Sequence, residues 1–248
     1  MLAIARGIAA QDRHREDQKD GPVMSVSEIY ANGHVRFMDV DLLVTPGALV
    51  PREETELLGN TALQTIQRMG LAEPRVIDMC CGSGNLGSAI AARLPNATVW
   101  LSDLTDGCVN AARRNVAHLS LSPRANVYQG DLFASLAGLG LEGSIDVVVC
   151  NPPYISTRRL EGDRASLLEH EPREAFDGGP YGLSIHQRVV KEAVPFLCVG
   201  GYLLFEIGLG QDKQIKMVFD RVKAYEGFSL IQNSNGEARV ALACKLRS

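Results

Sequence analysis

The sequence predicts an α/β protein: a doubly wound, mostly parallel sheet of seven strands with an antiparallel edge hairpin and a short N-terminal appendage. Three observations carry this expectation. From Pro74 onward, short apolar and β-branched runs alternate with stretches of helical periodicity, the pattern of successive βα units. A glycine-rich turn, "CCGSGNLG" (80–87), separates the first of these strands from the helix after it. Two strands close the chain in succession, which suits a hairpin at the sheet edge.

The chain divides into an appendage, 1–73, and the α/β domain, 74–248. In the appendage, "QDRHREDQKD" (11–20) is almost wholly polar and suits a solvated arm or the outer end of a helix begun at Leu2. "IYANGHVRFMDVDLLV" places Asn32-Gly33, a hairpin turn signal, between strand-like flanks. Leu58, Ala62, Ile66 and Met69 recur at helical spacing, predicting a helix over 53–69 that stops at Gly70.

In the α/β domain, "RVID" (75–78) is the first strand, and the helix behind the glycine turn runs through Arg93. "ATVWLS" (97–102) is the second, followed by a helix that Thr105 can cap and whose apolar face carries Val109, Ala112, Val116 and Leu119. "ANVYQ" (125–129) and "DVVVC" (146–150) are the third and fourth strands. Residues 156–184, rich in Gly, Pro and charge, predict a long loop with little regular structure, and loops of that length are often functional. A helix over 185–198 leads to the fifth strand, "GGYLLFEIG"; a further helix, 211–224, precedes strands at 228–233 and 238–244.

Composition narrows the function. With 46% hydrophobic residues in 248, a core of normal size is available. No apolar run approaches the roughly 20 residues of a membrane helix. "MLAIARGIAA" lacks the marks of a secretory signal, so no membrane partner and a cytoplasmic location are expected. A net charge of −4 provides no overall field for nucleic acid. Cys80, Cys81, Cys108, Cys150, Cys198 and Cys244 form no C-x-x-C pair and no zinc spacing with His, so free thiols and no metal are expected. Neither His170 nor His186 is expected to be catalytic; hydrogen-bonded or solvated roles suit both.

Gly82, Gly84 and Gly87 fit the G-x-G-x-x-G spacing, a weak signal by itself because such a turn also serves to close the backbone. The strand ends beyond that turn are more telling. Asp103 ends the second strand, where it can accept hydrogen bonds from a ribose diol. Asp131, Leu132 and Phe133 come after the third, where an acid and apolar neighbours can hold an adenine. Each acid alone could be a surface aspartate or a helix cap. Together, in register with the glycine loop at the carboxyl ends of their strands, they favour a nucleoside ligand.

The fourth strand ends in "NPPY". The side-chain oxygen of Asn151 and the carbonyl of Pro152 are acceptors that could hold both protons of a planar NH₂ group. Pro153 stiffens the turn, and the ring of Tyr154 could wall in or stack on that group. An isolated Asn-Pro is more often a turn. Its place after the fourth strand, behind a glycine loop, favours a site.

At these residues the chain resembles class I S-adenosylmethionine-dependent methyltransferases of the protein-glutamine N5 type, the HemK-like release-factor methyltransferases and their ribosomal-protein relatives. The resemblance runs from Val40 to Ala243 on "VPREETELL", "DMCCGSG", "GDLF", "NPPYI", "EPREAFDGGPYGL", "GGYLLFEIGLGQ" and "NGEARV". It implies a Rossmann-like methyltransferase sheet with S-adenosylmethionine as cofactor. Cys80, Cys81, Gly82, Ser83 and Gly84 would lie under its methionine part, Asp103 at its ribose, and Asp131 and Leu132 at its adenine. Asn151, which also borders the cofactor, would with Pro152, Pro153 and Tyr154 bind the target amide, and Arg52 to Glu56 would lie near the site. Glu206 occupies a family-like position without an assigned role. The pattern departs at Glu53, Tyr181 and Val199, and the stretch ahead of the hairpin is too short for the family's full helical docking domain.

The expected activity is therefore methylation of an amide-like nitrogen, by resemblance a glutamine of a release factor or ribosomal protein. The alternatives are, in order, a free small molecule bearing a planar NH₂ (amino acid, guanidine or amide), adenine N6 in nucleic acid, and a non-catalytic cofactor-binding protein. Residue patterns carry no oligomeric state.

Overall fold

The computed structural model describes residues 25–246. The polar stretch 11–20 and the helix expected from Leu2 lie outside the described residues.

The described chain begins with helix α1 (Val26–Asn32), capped by a reciprocal Ser25–Glu28 box. The hairpin comes next as β1 (His34–Phe37) and β2 (Val40–Leu43), paired antiparallel with Phe37 opposite Val40. This corrects the turn expected at Asn32-Gly33. Gly33 is instead the left-handed cap of α1, with φ 75°. The hairpin turns at Met38-Asp39, both at positive φ, 46° and 67°, as a two-residue type I′ turn requires. Met38 holds that conformation because its side chain is buried and its amide N–H donates to Glu56 Oε1 at 2.8 Å.

A 3₁₀ turn (Glu53–Thr55) opens helix α2 (Glu56–Met69), close to the helix expected over 53–69. Its apolar stripe packs Leu58, Ala62 and Ile66 into the same hydrophobic cluster as Phe37, Met38 and Leu42 of the hairpin and Val76, Val147 and Leu204 of the sheet.

The sheet strands are β3 (Arg75–Met79), β4 (Thr98–Asp103), β5 (Ala125–Gln129), β6 (Ile145–Cys150), β7 (Leu197–Glu206), β8 (Tyr225–Gln232) and β9 (Ala238–Lys245). Their order is β5-β4-β3-β6-β7-β9-β8. The first five are parallel; β9 runs antiparallel to β7, and β8 antiparallel to β9. The seven-stranded, doubly wound sheet with its antiparallel edge hairpin is the one expected.

Helices cover both faces. With α2 and the hairpin on one face lie α3 (Asn85–Arg93) and α4 (Asp106–His118). On the other lie α6 (Ser184–Glu192), α7 (Asp212–Val222) and the 3₁₀ segment Leu132–Leu136. Such double coverage is why β3 and β6 read as continuous apolar runs.

Several boundaries differ from expectation, and β8 begins at Tyr225, three residues ahead of the strand expected at 228. The helix expected over 185–198 ends at Glu192, and β7 begins at Leu197. The register of β6 against β7 shifts between Ile145 and Val147, because a bulge absorbs residues 198–201 around Gly200 at φ 82°. The stretch 156–184 is more regular than expected, with helix α5 (Thr157–Glu161) and 3₁₀ turns at Ala165–Glu169 and Arg173–Ala175.

The topology fixes where a site can form. Successive strands run outward in one direction through β4 and β5 and in the other through β6 and β7, so the order reverses between β3 and β6. A crevice opens at such a switch point, outside the carboxyl ends of the strands. Met79 pairs with Cys150 across it, which sets the glycine loop beside the Asn-Pro-Pro-Tyr turn. Asp103 pairs with Gln129, so both strand-end acids reach the same edge.

The close approach of α3 to the sheet depends on Gly87. A Cβ there would lie 2.8 Å from Leu101 Cγ and 2.9 Å from Asp78 Oδ2. Gly87→Ala should lower the unfolding free energy by about 1–3 kcal/mol through overpacking, measured by urea denaturation. Unchanged stability would mean that α3 moves away freely.

Candidate active site

A cavity of about 310 Å³ occupies the switch-point crevice, a volume in the range of small-molecule sites. The glycine loop contributes Cys80, Cys81, Gly82 and Ser83; the strand ends contribute Asp103, Asp131, Leu132, Asn151 and Pro153. Among the described residues, nothing beyond its chain neighbours lies within 4 Å of where a Cβ on Gly82 would sit, so that backbone faces open space.

Asp103 is held in place by the loop it faces. Its Oδ2 accepts the Gly82 N–H at 2.9 Å and its Oδ1 the Thr105 N–H at 3.3 Å. A carboxylate offers about four lone-pair positions, so acceptor capacity remains for two ligand hydroxyls. Leu132 is buried at the cavity wall with φ 49°. Asp131 lies at the cavity too, but its carboxylate is 58% exposed and paired with Arg188 at 2.8 Å.

Gly84, Pro152 and Tyr154 are not on the cavity wall. Gly84 packs under α3, where a Cβ would meet Ala112 Cβ at 3.0 Å. Pro152 is buried. Tyr154 takes a different place from the one expected, that of a wall around a flat group. Its hydroxyl donates to Glu206 Oε1 at 3.0 Å, and its ring lies 6.0 Å from the Arg239 guanidinium. Burial and the neighbouring Glu206 charge push its phenol well above the usual range. Tyr154 thereby anchors the turn from behind.

Sequence reasoning left several contributors without roles. Leu49 to Arg52 and Thr55, ahead of β3, line the cavity, as do Pro172 to Ala175 of the long loop. Glu171 clamps these two stretches together. Its buried carboxylate accepts the Val50 N–H at 2.9 Å and pairs with the Arg52 guanidinium. Glu206, at the end of β7, is the hub of a second network. It accepts from Thr55 Oγ1 at 2.8 Å and from Arg239 Nη2 at 3.3 Å, and Asn151 Nδ2 donates to Thr55 Oγ1 at 3.1 Å. Burial raises the pKa of Glu206, against the Thr55 hydrogen bond and the Arg239 charge. Polar residues near a motif suggest such partners, but the pairings join distant parts of the chain and leave no periodic mark.

The histidines match expectation. His186 is fully buried beneath Glu206, with Nε2 donating to the Glu206 carbonyl at 2.9 Å, and burial lowers its pKa to about 4. His170 is exposed. The six cysteines are free thiols. Among the described residues, no helix is long and apolar enough to cross a membrane.

Asp78, at the end of β3, is fully buried and accepts the Gly87 N–H at 2.7 Å. Burial raises its pKa from 3.8 to about 7. The unfolded chain therefore releases this proton at lower pH than the folded one. Stability is highest below the unfolded value, falls between 3.8 and about 7, and stays reduced above. The loss should amount to a few kcal/mol, since each tenfold change in proton affinity is worth roughly 1.4 kcal/mol. Urea unfolding at pH 5 and pH 8 should show a smaller difference for Asp78→Asn than for the native chain; an equal difference would assign the dependence elsewhere.

A nucleoside-sized cavity at the switch point, with a glycine loop, a strand-end acid and an Asn-Pro-Pro-Tyr turn, defines a class I methyltransferase. The methyltransferase small domain family matches residues 55–180. The chain is 37% identical to the release factor glutamine methyltransferase of Moorella thermoacetica over 86% of its own length and 73% of that protein. It is 33% identical to that of Geobacter sulfurreducens over 96% of its own length and 77% of that protein. The fold resembles the crystal structure of the hMettl16 catalytic domain in complex with MAT2A 3′UTR hairpin 6, with a TM-score of 0.61 and 16% identity over 84% of this chain and 76% of that one. The chain belongs to the release factor glutamine methyltransferase family. It is an N-methyltransferase, and family and fold imply S-adenosylmethionine as methyl donor.

Proposed function

We propose that this chain methylates the side-chain amide nitrogen of a glutamine in a peptide release factor. The observation that carries this reading is the convergence of Asn151 and the glycine loop on one cavity wall, through the Met79–Cys150 pairing. The names of its relatives supply the acceptor.

The residues present fit S-adenosylmethionine. Cys80 to Ser83, on the turn that Gly84 closes, would lie beneath its methionine part, Asp103 would accept from the ribose hydroxyls, and Leu132 with Asp131 would border the adenine. When bound, the donor supplies a methyl group made electrophilic by a sulfonium. The chain's own task is to present the acceptor. An amide nitrogen is a weak nucleophile because its lone pair is delocalised into the carbonyl. Asn151 Oδ1 accepts one of its protons, which orients the NH₂ and stabilises the positive charge that develops as the N–C bond forms; the Pro152 carbonyl, expected to take the other, lies behind the cavity wall. In-line positioning supplies much of the remaining rate. No strong base is needed, since the alkylated nitrogen loses its proton readily afterwards. The absence of an ionisable side chain among Asn151, Pro152 and Pro153 suits this chemistry.

The test is methyl transfer from labelled S-adenosylmethionine to recombinant release factor, to free amino acids and amides, and to DNA and RNA. Label should enter release factor at one glutamine. Label confined to another class would replace the acceptor assignment.

A further inference from the structure

We infer that Glu206, acting through the hydroxyl of Thr55, sets the orientation of the Asn151 carboxamide so that its oxygen, and not its NH₂, faces the methyl acceptor. The kinetic part of this inference rests on the function proposed above. It makes Thr55 and Glu206 positioning residues for the transfer.

Hydrogen-bond polarity dictates this orientation. An amide has a donor end and an acceptor end of nearly the same shape, and packing alone discriminates between them poorly. For Asn151 the choice matters, because only the oxygen can accept a proton of the incoming NH₂. An ionised carboxylate can only accept. The single Thr55 hydroxyl proton is therefore committed to Glu206 Oε2, at 2.8 Å. The Thr55 oxygen then has only lone pairs to offer Asn151, so the group at 3.1 Å must be the NH₂ end. Oδ1 is left for the acceptor.

Burial works against the charge on Glu206 and raises its pKa, while the donors around the carboxylate favour its ionised form and hold it stationary. It is buried; Arg239 Nη2 and the Tyr154 hydroxyl each donate to Oε1, at 3.3 and 3.0 Å. Glu54 is the nearby like charge that opposes ionisation, and the His186 ring beneath is bonded to the Glu206 backbone carbonyl. Thr55 lines the cavity, whereas Glu206 does not, so any effect of Glu206 on the acceptor is indirect. The relay also gives the "EET" stretch ahead of α2 a task in the chemistry.

Two measurements test this. The first needs no acceptor. In protein labelled with ¹⁵N at asparagine, the Asn151 side-chain NH₂ pair should be protected from solvent exchange, and Thr55→Val should remove that protection while Thr55→Ser restores most of it. The second is steady-state transfer to release factor. Thr55→Val and Glu206→Gln should each lower kcat about 10- to 100-fold, with donor Kd within about threefold and Thr55→Ser recovering most of the turnover. The double variant should lose no more than the worse single one, because both cut one relay. Melting temperatures show whether each variant folds; if Thr55→Val does not, Glu206→Gln and Thr55→Ser carry the comparison. Independent multiplication of the two losses would overturn the inference, as would native kcat in Thr55→Val or an unprotected Asn151 NH₂ in the native chain. A native chain that leaves release factor unlabelled overturns the acceptor assignment alone, since the exchange measurement still decides the orientation.

Discussion

Asn151→Ala should lower methyl transfer by about two to three orders of magnitude, the usual cost of removing a preorganised group aimed at developing charge, while donor affinity changes only a few-fold. The split arises from geometry. Asn151 directly follows β6, and its side-chain NH₂ donates to Thr55 Oγ1. The groups fitted to the donor, Cys80 to Ser83 and Asp103, are held independently by β3, β4 and their own hydrogen bonds. Removing the carboxamide leaves those elements in place and deprives the acceptor NH₂ of the oxygen that orients it. Single-turnover transfer to release factor, beside calorimetric donor titration, checks both halves. Near-native turnover would sink the role given to Asn151; a parallel collapse of donor affinity would make it a structural residue.

Asp103→Ala should weaken donor binding about 10- to 100-fold, because hydrogen bonds to a charged group contribute roughly 1.5–3 kcal/mol. Two losses add here. The ribose loses its acceptor, and the Gly82 N–H loses the carboxylate that fixes the glycine loop at 2.9 Å. Asp103→Asn separates them, because its oxygen can still accept from Gly82 while offering the diol a weaker, uncharged partner. Its affinity should fall between the native and alanine forms. Calorimetry with S-adenosylmethionine or its demethylated product reads both variants. An unchanged Kd in Asp103→Ala would place the ribose elsewhere.

Much of the architecture is legible in the chain itself. Buried strands such as "DVVVC" carry β-branched residues on both faces, and their spacing between helical stretches leaves a doubly wound sheet as the natural solution. The misplaced hairpin turn shows where such reasoning ends. Asn-Gly serves equally in a type I′ turn and at the left-handed end of a helix, and the local signal is the same. The actual turn at Met38-Asp39 has no comparable signal. Its conformation is held by burial of Met38 against Gly59, where a Cβ would lie 2.2 Å from the Met38 sulfur. The start of β7 escapes sequence reasoning for a similar reason, since the bulge at 198–201 depends on pairing with β6.

The site divides along the same line. Gly82, Asp103, Leu132 and Asn151 could be found by pattern, because each sits at a strand end and strand ends converge whenever the sheet is parallel. Arg52, Thr55, Glu171 and Glu206 could not be given roles in that way. Their function lies in pairings such as Arg52 with Glu171 and Thr55 with Glu206, which join the segment ahead of α2 to the long loop and to the end of β7. Local order along the chain was enough to specify the fold class, the cavity edge and the chemistry of a planar NH₂. Which way the Asn151 carboxamide points was settled by folding, because a hydrogen bond's polarity depends on the charge of whatever lies behind it, and here that charge comes from another strand.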